Sequence, residues 1–320
     1  MKKRNNNYSP LVSVVMTVYS ERPEWIKASI YSVLNQSYTN LELIIVYDNP
    51  NNQATWQQLT NLSNKDGRIN LVRNSENIGL TKSLNVGLHY IRGHFIARID
   101  ADDVWKPEKL KKQISYLEKH PQIDGVGSCV DFIGEDGNFI QVMDFPITPK
   151  RVACRIVTAN PIIHSSIVLR VSSVNEMLPH LYDEKFYTAQ DYALWAKLIF
   201  LGKRLSNLSE RLVEYRRSLL QITKTRSCEQ KNNANLIKER FVYEIAEKCG
   251  IKDIELMDVI TLSNLVRSLR PSLEKSIIYT YLYNNLYSST LTKKELLHVI
   301  IHSHLLFDCP LKDLLKIFLK

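Results

Sequence analysis

No Gly-x-Gly-x-x-Gly follows the first apolar run of this 320-residue chain, where Thr17-Val-Tyr-Ser-Glu21 stands instead, and no Gly-x-x-x-x-Gly-Lys-Ser/Thr occurs anywhere. Both absences argue against a dinucleotide dehydrogenase and a P-loop NTPase. A Gly-x-Ser-x-Gly elbow is missing too, which lowers the case for an acyl hydrolase. The five cysteines, at 129, 154, 228, 249 and 309, are scattered and include no Cys-x-x-Cys pair. Such usage speaks for reduced thiols in a cytosolic setting and against a disulfide framework or zinc ribbon. The basic start, Met1-Lys-Lys-Arg4, runs into Tyr8-Ser-Pro10 and a short β-like segment without a signal-peptide apolar region, and no uninterrupted apolar stretch is long enough to cross a bilayer. The expectation is a cytoplasmic protein.

What is present is an ordinary globular composition, with 44% hydrophobic and 23% charged residues. The formal net charge of +9 raises nucleic acid as a partner. From residue 221 onward there are 15 Lys/Arg against 11 Asp/Glu, a surplus of 4, so the first 220 residues carry the remaining 5 and the excess is diffuse. With no RNA- or DNA-binding motif beside it, it predicts a solvated surface with some attraction for anionic lipid or phosphate, and no nucleic-acid partner.

Strand and helix patterns alternate through the first part of the chain. Residues 11–18, 41–47, 69–73 and 95–99 read as strands; 23–35, 53–62, 81–91 and 107–119 read as helices, with Pro23 opening the first and Gly93 closing the third. This order predicts an α/β fold with a mostly parallel sheet flanked by helices. Beyond Pro121 a hairpin is expected from 126–133 and 139–142, a strand over 162–169, a helix over 191–201 and a short strand over 211–215. After about Gln221 only helical patterns follow. The predicted division is therefore 1–220 for an α/β domain and 221–320 for a C-terminal all-helical region.

One stretch carries most of the chemistry. His94-Phe-Ile-Ala-Arg-Ile-Asp100-Ala-Asp102-Asp103-Val-Trp-Lys-Pro107 is an apolar strand that ends in three carboxylates. Ligands of open α/β sheets sit at the carboxyl ends of strands, and carboxylates there suit a hard divalent cation that also binds phosphates. The alternative is an Asp-rich turn capping the next helix.

The blocks Val12-Ser-Val-Val-Met-Thr-Val-Tyr19, Leu41-Glu-Leu-Ile-Ile-Val-Tyr-Asp48-Asn49, Asn77-Ile-Gly-Leu-Thr-Lys-Ser-Leu-Asn85-Val-Gly87 and Ile99-Asp-Ala-Asp-Asp-Val-Trp-Lys-Pro107 together resemble the family 2 inverting glycosyltransferases of the GT-A (Rossmann-like, nucleotide-diphospho-sugar transferase) fold, over about residues 10–218. The resemblance implies that Thr17, Tyr19 and Glu21 line a nucleotide-base pocket and that Asp48 accepts a hydrogen bond from the base. At Asp48 the family's Asp-Asp-Gly-Ser is replaced by Tyr47-Asp48-Asn49-Pro50, and a simple turn-forming role is the alternative. It further implies that Asp102 ligates Mn²⁺ or Mg²⁺ on the donor diphosphate, and that Asp100 contacts the ribose or supports the metal.

Thr188-Ala-Gln-Asp191 resembles the family's Glu-Asp block, with Gln190 in place of Glu, and implies that Asp191 is the general base that deprotonates the acceptor hydroxyl. A helix N-cap is a compatible role for the same side chain. In Asn160-Pro-Ile-Ile-His164-Ser-Ser166, His164 is either a diphosphate or acceptor contact or a structural histidine. In Glu214-Tyr-Arg-Arg-Ser218, Ser218 takes the place of the family's loop His, so Arg216 or Arg217 is the candidate to neutralise phosphate charge.

The expected activity is transfer of a hexose or N-acetylhexosamine from a UDP-sugar (UDP-Gal, UDP-Glc, UDP-GlcNAc or UDP-GalNAc) to a glycan or lipid-linked acceptor in capsule, O-antigen or lipooligosaccharide synthesis. The alternative is a catalytically silent sugar-nucleotide-binding or scaffold member of the fold. His298, His302 and His304 fall in an amphipathic run and read as surface or interface residues. The segment Leu311–Lys320 mixes apolar residues with lysines, and offers either peripheral contact with the inner membrane or packing on the protein.

Overall fold

The computed structural model describes residues 9–218, 227–252, 269–270 and 272–285. His298, His302, His304, Cys309 and the 311–320 segment lie outside the described residues.

Strands β1 (Val12–Val18), β2 (Leu41–Tyr47), β3 (Ile69–Arg73) and β4 (Phe95–Asp100) alternate with helices α1 (Pro23–Leu34), α2 (Gln53–Ser63) and α3 (Leu80–Leu88). β1 and β2 are buried at every residue, which is why both read as continuous apolar runs and not as alternating ones. These four strands pair in parallel in the order β3-β2-β1-β4. α3 lies close against them because Gly87 has no side chain: a Cβ there would come within 2.8 Å of Val15 and 3.2 Å of Val46.

Beyond β4 the sheet changes character. It continues through β8 (Val168–Arg170), β6 (Gly125–Ile133), β9 (Leu205–Arg216) and the two-residue β5 (Val104–Trp105), with β7 (Phe139–Met143) paired to β6 as the expected hairpin. Here β4–β8, β6–β8, β6–β7 and β5–β9 are antiparallel and only β6–β9 is parallel. The expectation of a mostly parallel sheet thus holds for the first half and gives way to a mixed sheet in the second. The α/β class itself stands.

The expected strand over 162–169 is a second difference. Residues His164–Ser166 form a 3₁₀ turn, and the strand itself is only Val168–Arg170. Serine hydroxyls compete for backbone groups, and here Ser166 bonds the Ile163 carbonyl through both its N–H (2.9 Å) and its Oγ (2.7 Å).

Each face of the sheet has its own core. Val14, Met16 and Ile45 point to the side covered by α1, α2 and α4 (Lys109–Lys119). Val15 and Ile96 point to the other side, with residues from α3, α5 (Pro149–Arg155), α6 (Val171–Val174), α7 (Gln190–Phe200), α8 (Ser227–Lys248) and α9 (Leu273–Asn285). Ile237, Phe241 and Ile245 of α8 and Ile277 and Ile278 of α9 are buried in that second core. No helix of the described residues is long and apolar enough to cross a membrane.

Candidate active site

The carboxyl ends of β1, β2 and β4 lie side by side, with Thr17 in register between Val46 and Asp100. Asp100 is the last residue of β4. Its Oδ1 accepts from Arg98 Nη2 (2.5 Å) and its Oδ2 from the Ser165 hydroxyl (2.9 Å), while its own N–H donates to the same Ser165 oxygen (2.8 Å). Burial pushes this carboxyl up, but Arg98, His164 and Ser165 together hold it below the usual carboxylate range. The 3₁₀ turn that replaced the expected strand is therefore what brings Ser165 to the first aspartate.

The three residues after Asp100 are tied down from β9. Val104 and Trp105 pair with Glu214 and Val213, so the acidic loop is closed between β4 and β5. Arg216, at the end of β9, donates its N–H to Asp103 Oδ1 (2.9 Å), its Nε to the Asp102 carbonyl (2.9 Å) and its Nη1 to the Gly134 carbonyl (2.8 Å). The guanidinium also lies 5.0 Å from the Trp25 ring centroid. Arg216 thus braces the loop through backbone contacts. Arg217 stacks on Phe132 at 3.8 Å, and Ser218 is buried.

Asp103 is fully buried, and the one proton of the Ser165 hydroxyl is already committed to Asp100, which leaves Asp103 Oδ2 without a donor among the described residues. Burial, then the charges of Asp102 and Asp100, push Asp103 well above the normal range. Three carboxyl groups are gathered here with Arg98 paired to one of them, Asp100. No group of three or more His, Cys, Asp or Glu forms a ready cage among the described residues. One or two carboxylates that leave room for phosphate oxygens are what Mg²⁺ or Mn²⁺ needs, so Asp100 and Asp102 fit such an ion.

Asp191 stands in the first turn of α7, and Asn160 Nδ2 donates to its Oδ2 (2.6 Å). Burial raises its carboxyl above the ordinary value, and the charge of Asp100 adds to the rise. Glu21, whose Oε2 accepts from the Tyr19 N–H (2.8 Å), is raised by burial and again by Asp100. His164 Nε2 meets the Tyr182 hydroxyl at 2.8 Å, and burial, reinforced by Arg98, lowers it to about 3; the imidazole is neutral at physiological pH. That contact favours the structural alternative for His164.

Other expected residues are set apart. Asp48 is buried and holds the loop that starts α3: its Oδ1 accepts from Asn74 Nδ2 (2.7 Å) and Ile78 N (2.9 Å), its Oδ2 from Gly79 N (2.8 Å). Gly79 sits at φ +84°, a conformation that glycine adopts without strain. Tyr19 is 48% exposed at the rim. Sequence reasoning passed over Arg98, Asn160 and Ser165 as individual site residues. Arg98 alone had a readable signal, a charge inside an apolar strand.

The model of glycosyl transferase family 2 matches residues 13–178. The chain belongs to that family. This family 2 glycosyltransferase is 33% identical to an uncharacterised glycosyltransferase of Haemophilus influenzae, over 97% of its own length and 96% of the relative's. It is 30% identical to the amylovoran biosynthesis glycosyltransferase AmsE of Erwinia amylovora, over 68% of its length and 80% of that protein. Among solved structures, a Pyrobaculum calidifontis mannosyltransferase in complex with GDP-Man and Mn²⁺ matches at TM-score 0.57 and 17% identity, covering 97% of this chain and 79% of that one. Residues 1–349 of Staphylococcus aureus TarS in complex with UDP-GlcNAc match at TM-score 0.54 and 17% identity, covering 87% and 91%; the chain spans 47% of the longer TarS structure. At these identities the structural matches establish the GT-A fold. The protein is a glycosyltransferase with homologues in surface polysaccharide synthesis.

Proposed function

We propose that this glycosyltransferase moves a sugar, with inversion, from a UDP-sugar to a hydroxyl of a growing bacterial surface glycan, and that residues 1–220 carry the chemistry. The observation that carries the reading is the convergence of two acids with opposite environments. Asp100 is held ionised by Arg98 and Ser165, whereas Asp191 is pushed upward by burial, so one suits charge binding and the other proton transfer. The UDP-GlcNAc bound by TarS and the Mn²⁺ in the mannosyltransferase support a nucleotide-sugar donor and a divalent ion for this chain as well.

In this reading the donor nucleotide lies over the carboxyl ends of β1, β2 and β4. Thr17, Tyr19 and Glu21 flank the base, and Asp48 shapes the pocket wall through the 74–79 loop as well as facing the base. Asp100 and Asp102 would hold Mn²⁺ or Mg²⁺, which when bound supplies charge neutralisation for the departing diphosphate. Arg216 keeps the Asp102 backbone fixed. Asp191 takes the proton of the acceptor hydroxyl as its oxygen bonds to the anomeric carbon, and the bond from that carbon to the diphosphate oxygen breaks on the opposite face. Asn160 aims the carboxylate.

The test is a panel of nucleotide sugars with Mn²⁺, scored by donor hydrolysis and by protection against thermal unfolding. A UDP-sugar should be turned over and should raise Tm, and excess EDTA should abolish both. Full turnover in EDTA sinks the metal role, and protection by no UDP compound sinks the donor assignment.

A further inference from the structure

A cavity of about 320 Å³ opens beside Asp191, walled on one side by Asn160 and its neighbours and on the other by Gln230, Lys231, Ala234 and Lys238 of α8. That helix, like Asp191, lies beyond residues 13–178, the segment matched by the family model. Lys231, Ala234 and Lys238 fall at i, i+3 and i+7 on one helical face. The two lysines are therefore about 10 Å apart along the axis, at roughly 1.5 Å per residue, with a small residue between them that leaves the space open.

The wall is firmly docked. Gln230 Nε2 donates to the Thr188 carbonyl (3.1 Å) and Asn233 Nδ2 to the Thr188 hydroxyl (2.8 Å), three residues before Asp191, while Ile237 and Phe241 are buried beneath. Neither Lys231 nor Lys238 makes an ion pair among the described residues, although Lys238 is half-buried. The carboxylate lining the cavity, Asp191, is bonded to Asn160 and sits in an environment that resists its ionisation. Two ammonium groups that have no ion pair among the described residues and line the same cavity as Asp191 suit an anion on the incoming molecule. The amides of Asn160 and Gln230 and the ring of Tyr192, which line the same cavity, suit the uncharged part of a sugar, so the two lysines are what add a preference for an anion.

We infer that this cavity receives the acceptor, and that Lys231 and Lys238 recognise a phosphate or carboxylate carried by it near the hydroxyl that is glycosylated. The inference rests on Asp191 being the base of the proposed reaction. Three probes of one sugar separate the sources of charge: hexyl glucoside, hexyl glucuronide, and the hexyl diphosphate ester of glucose. Each is titrated into the full chain with Mn²⁺ and UDP present. At least one anionic probe should bind about tenfold more tightly than the neutral one, the size expected of two partly exposed charge contacts, and the K231M/K238M double variant should erase the difference while leaving UDP affinity unchanged. A preference for the diphosphate alone points to a phosphate-linked acceptor, and a preference for the glucuronide alone to an acidic sugar. Equal binding of all three or of none, a preference that survives in the double variant, or a loss of UDP affinity in it overturns the inference. UDP binding by the unaltered protein reports the donor reading separately: if it is absent both fall, and if it is present without a preference for anions only the acceptor assignment falls.

Discussion

The two ends of the central strands both bury acids, and they treat them differently. At the amino end Glu42 is 3% exposed and its oxygens are crowded with donors: the Ser13 hydroxyl (2.7 Å), the Arg92 N–H (2.8 Å), and Arg92 Nε and Nη2 (2.8 and 2.6 Å). At the carboxyl end Asp103 is pushed up by burial and by the charges of Asp102 and Asp100, Asp191 and Glu21 are raised by burial and by Asp100, and among the described residues Asp103 Oδ2 has no donor and Arg98 Nε and Nη1 no acceptors. A buried acid with every lone pair met is a fastening. Acids packed together with bonds still to be made are an arrangement waiting for a ligand, and folding alone gives no reason for it.

The sharpest break in that comparison is Asp191→Asn. It keeps a carbonyl oxygen for the Asn160 amide but removes the basic group, so kcat should fall by about 10²–10⁴-fold, the range of general-base effects. Single-turnover measurements with saturating donor check it, and loss within threefold overturns the base assignment. Asp102→Ala should lower kcat by about 10²–10³-fold through lost charge stabilisation, with unfolding by urea little changed. Glu42→Ala should do the converse. It strands the Ser13 hydroxyl and the Arg92 backbone N–H, while the exposed Arg92 guanidinium returns to water, so stability should fall by about 2 kcal/mol in urea titrations while kcat per folded molecule is kept. If Glu42→Ala instead lowers kcat and spares stability, the two ends are not the different devices described above.

Much of this contrast was legible in the sequence at one end only. β2 and β3 were read with their observed bounds, and the first four strands in order, because β1, β2 and β4 are mainly apolar runs and the short edge strand β3 lies between clear turn residues. The acidic loop was legible because three carboxylates after such a run have no packing use. The pairing of Val104–Trp105 with β9 was not, since two residues carry no period. Helix Pro149–Arg155 went unread although Thr148 accepts from the Arg151 N–H and Pro149 opens it; seven residues are too few for a periodic apolar face. Nor could the sequence show Arg216 bracing the Asp102 backbone or Ser165 bonding Asp100 across 65 residues, because such contacts depend on a chain reversal that no local pattern encodes. The C-terminal region was read as helical and set apart, yet α8 closes the cavity beside Asp191, a fact that belongs to tertiary packing alone.

The smallest expected effect separates function from fastening within a single residue. Asp191 has its folded-state pKa raised by burial, so its protonated form fits the folded protein better than its charged form does. The stability tied to this proton is fully present below the ordinary carboxylate value and is lost as pH rises through the raised one. At neutral pH the ionised side chain therefore costs stability, and Asn, which resembles the protonated acid, does not bear that cost. Asp191→Asn should melt slightly above the unaltered protein at pH 7, and the gap should close as the pH is lowered towards 4. A thermal series across that range decides it. The same ionisation should appear in kcat as a fall on the acid side at a pH above the ordinary aspartate value, because only the charged carboxylate accepts the acceptor's proton. A variant that loses turnover yet gains neutral-pH stability marks an acid kept for chemistry at the expense of the fold, the reverse of Glu42 at the other end of the sheet.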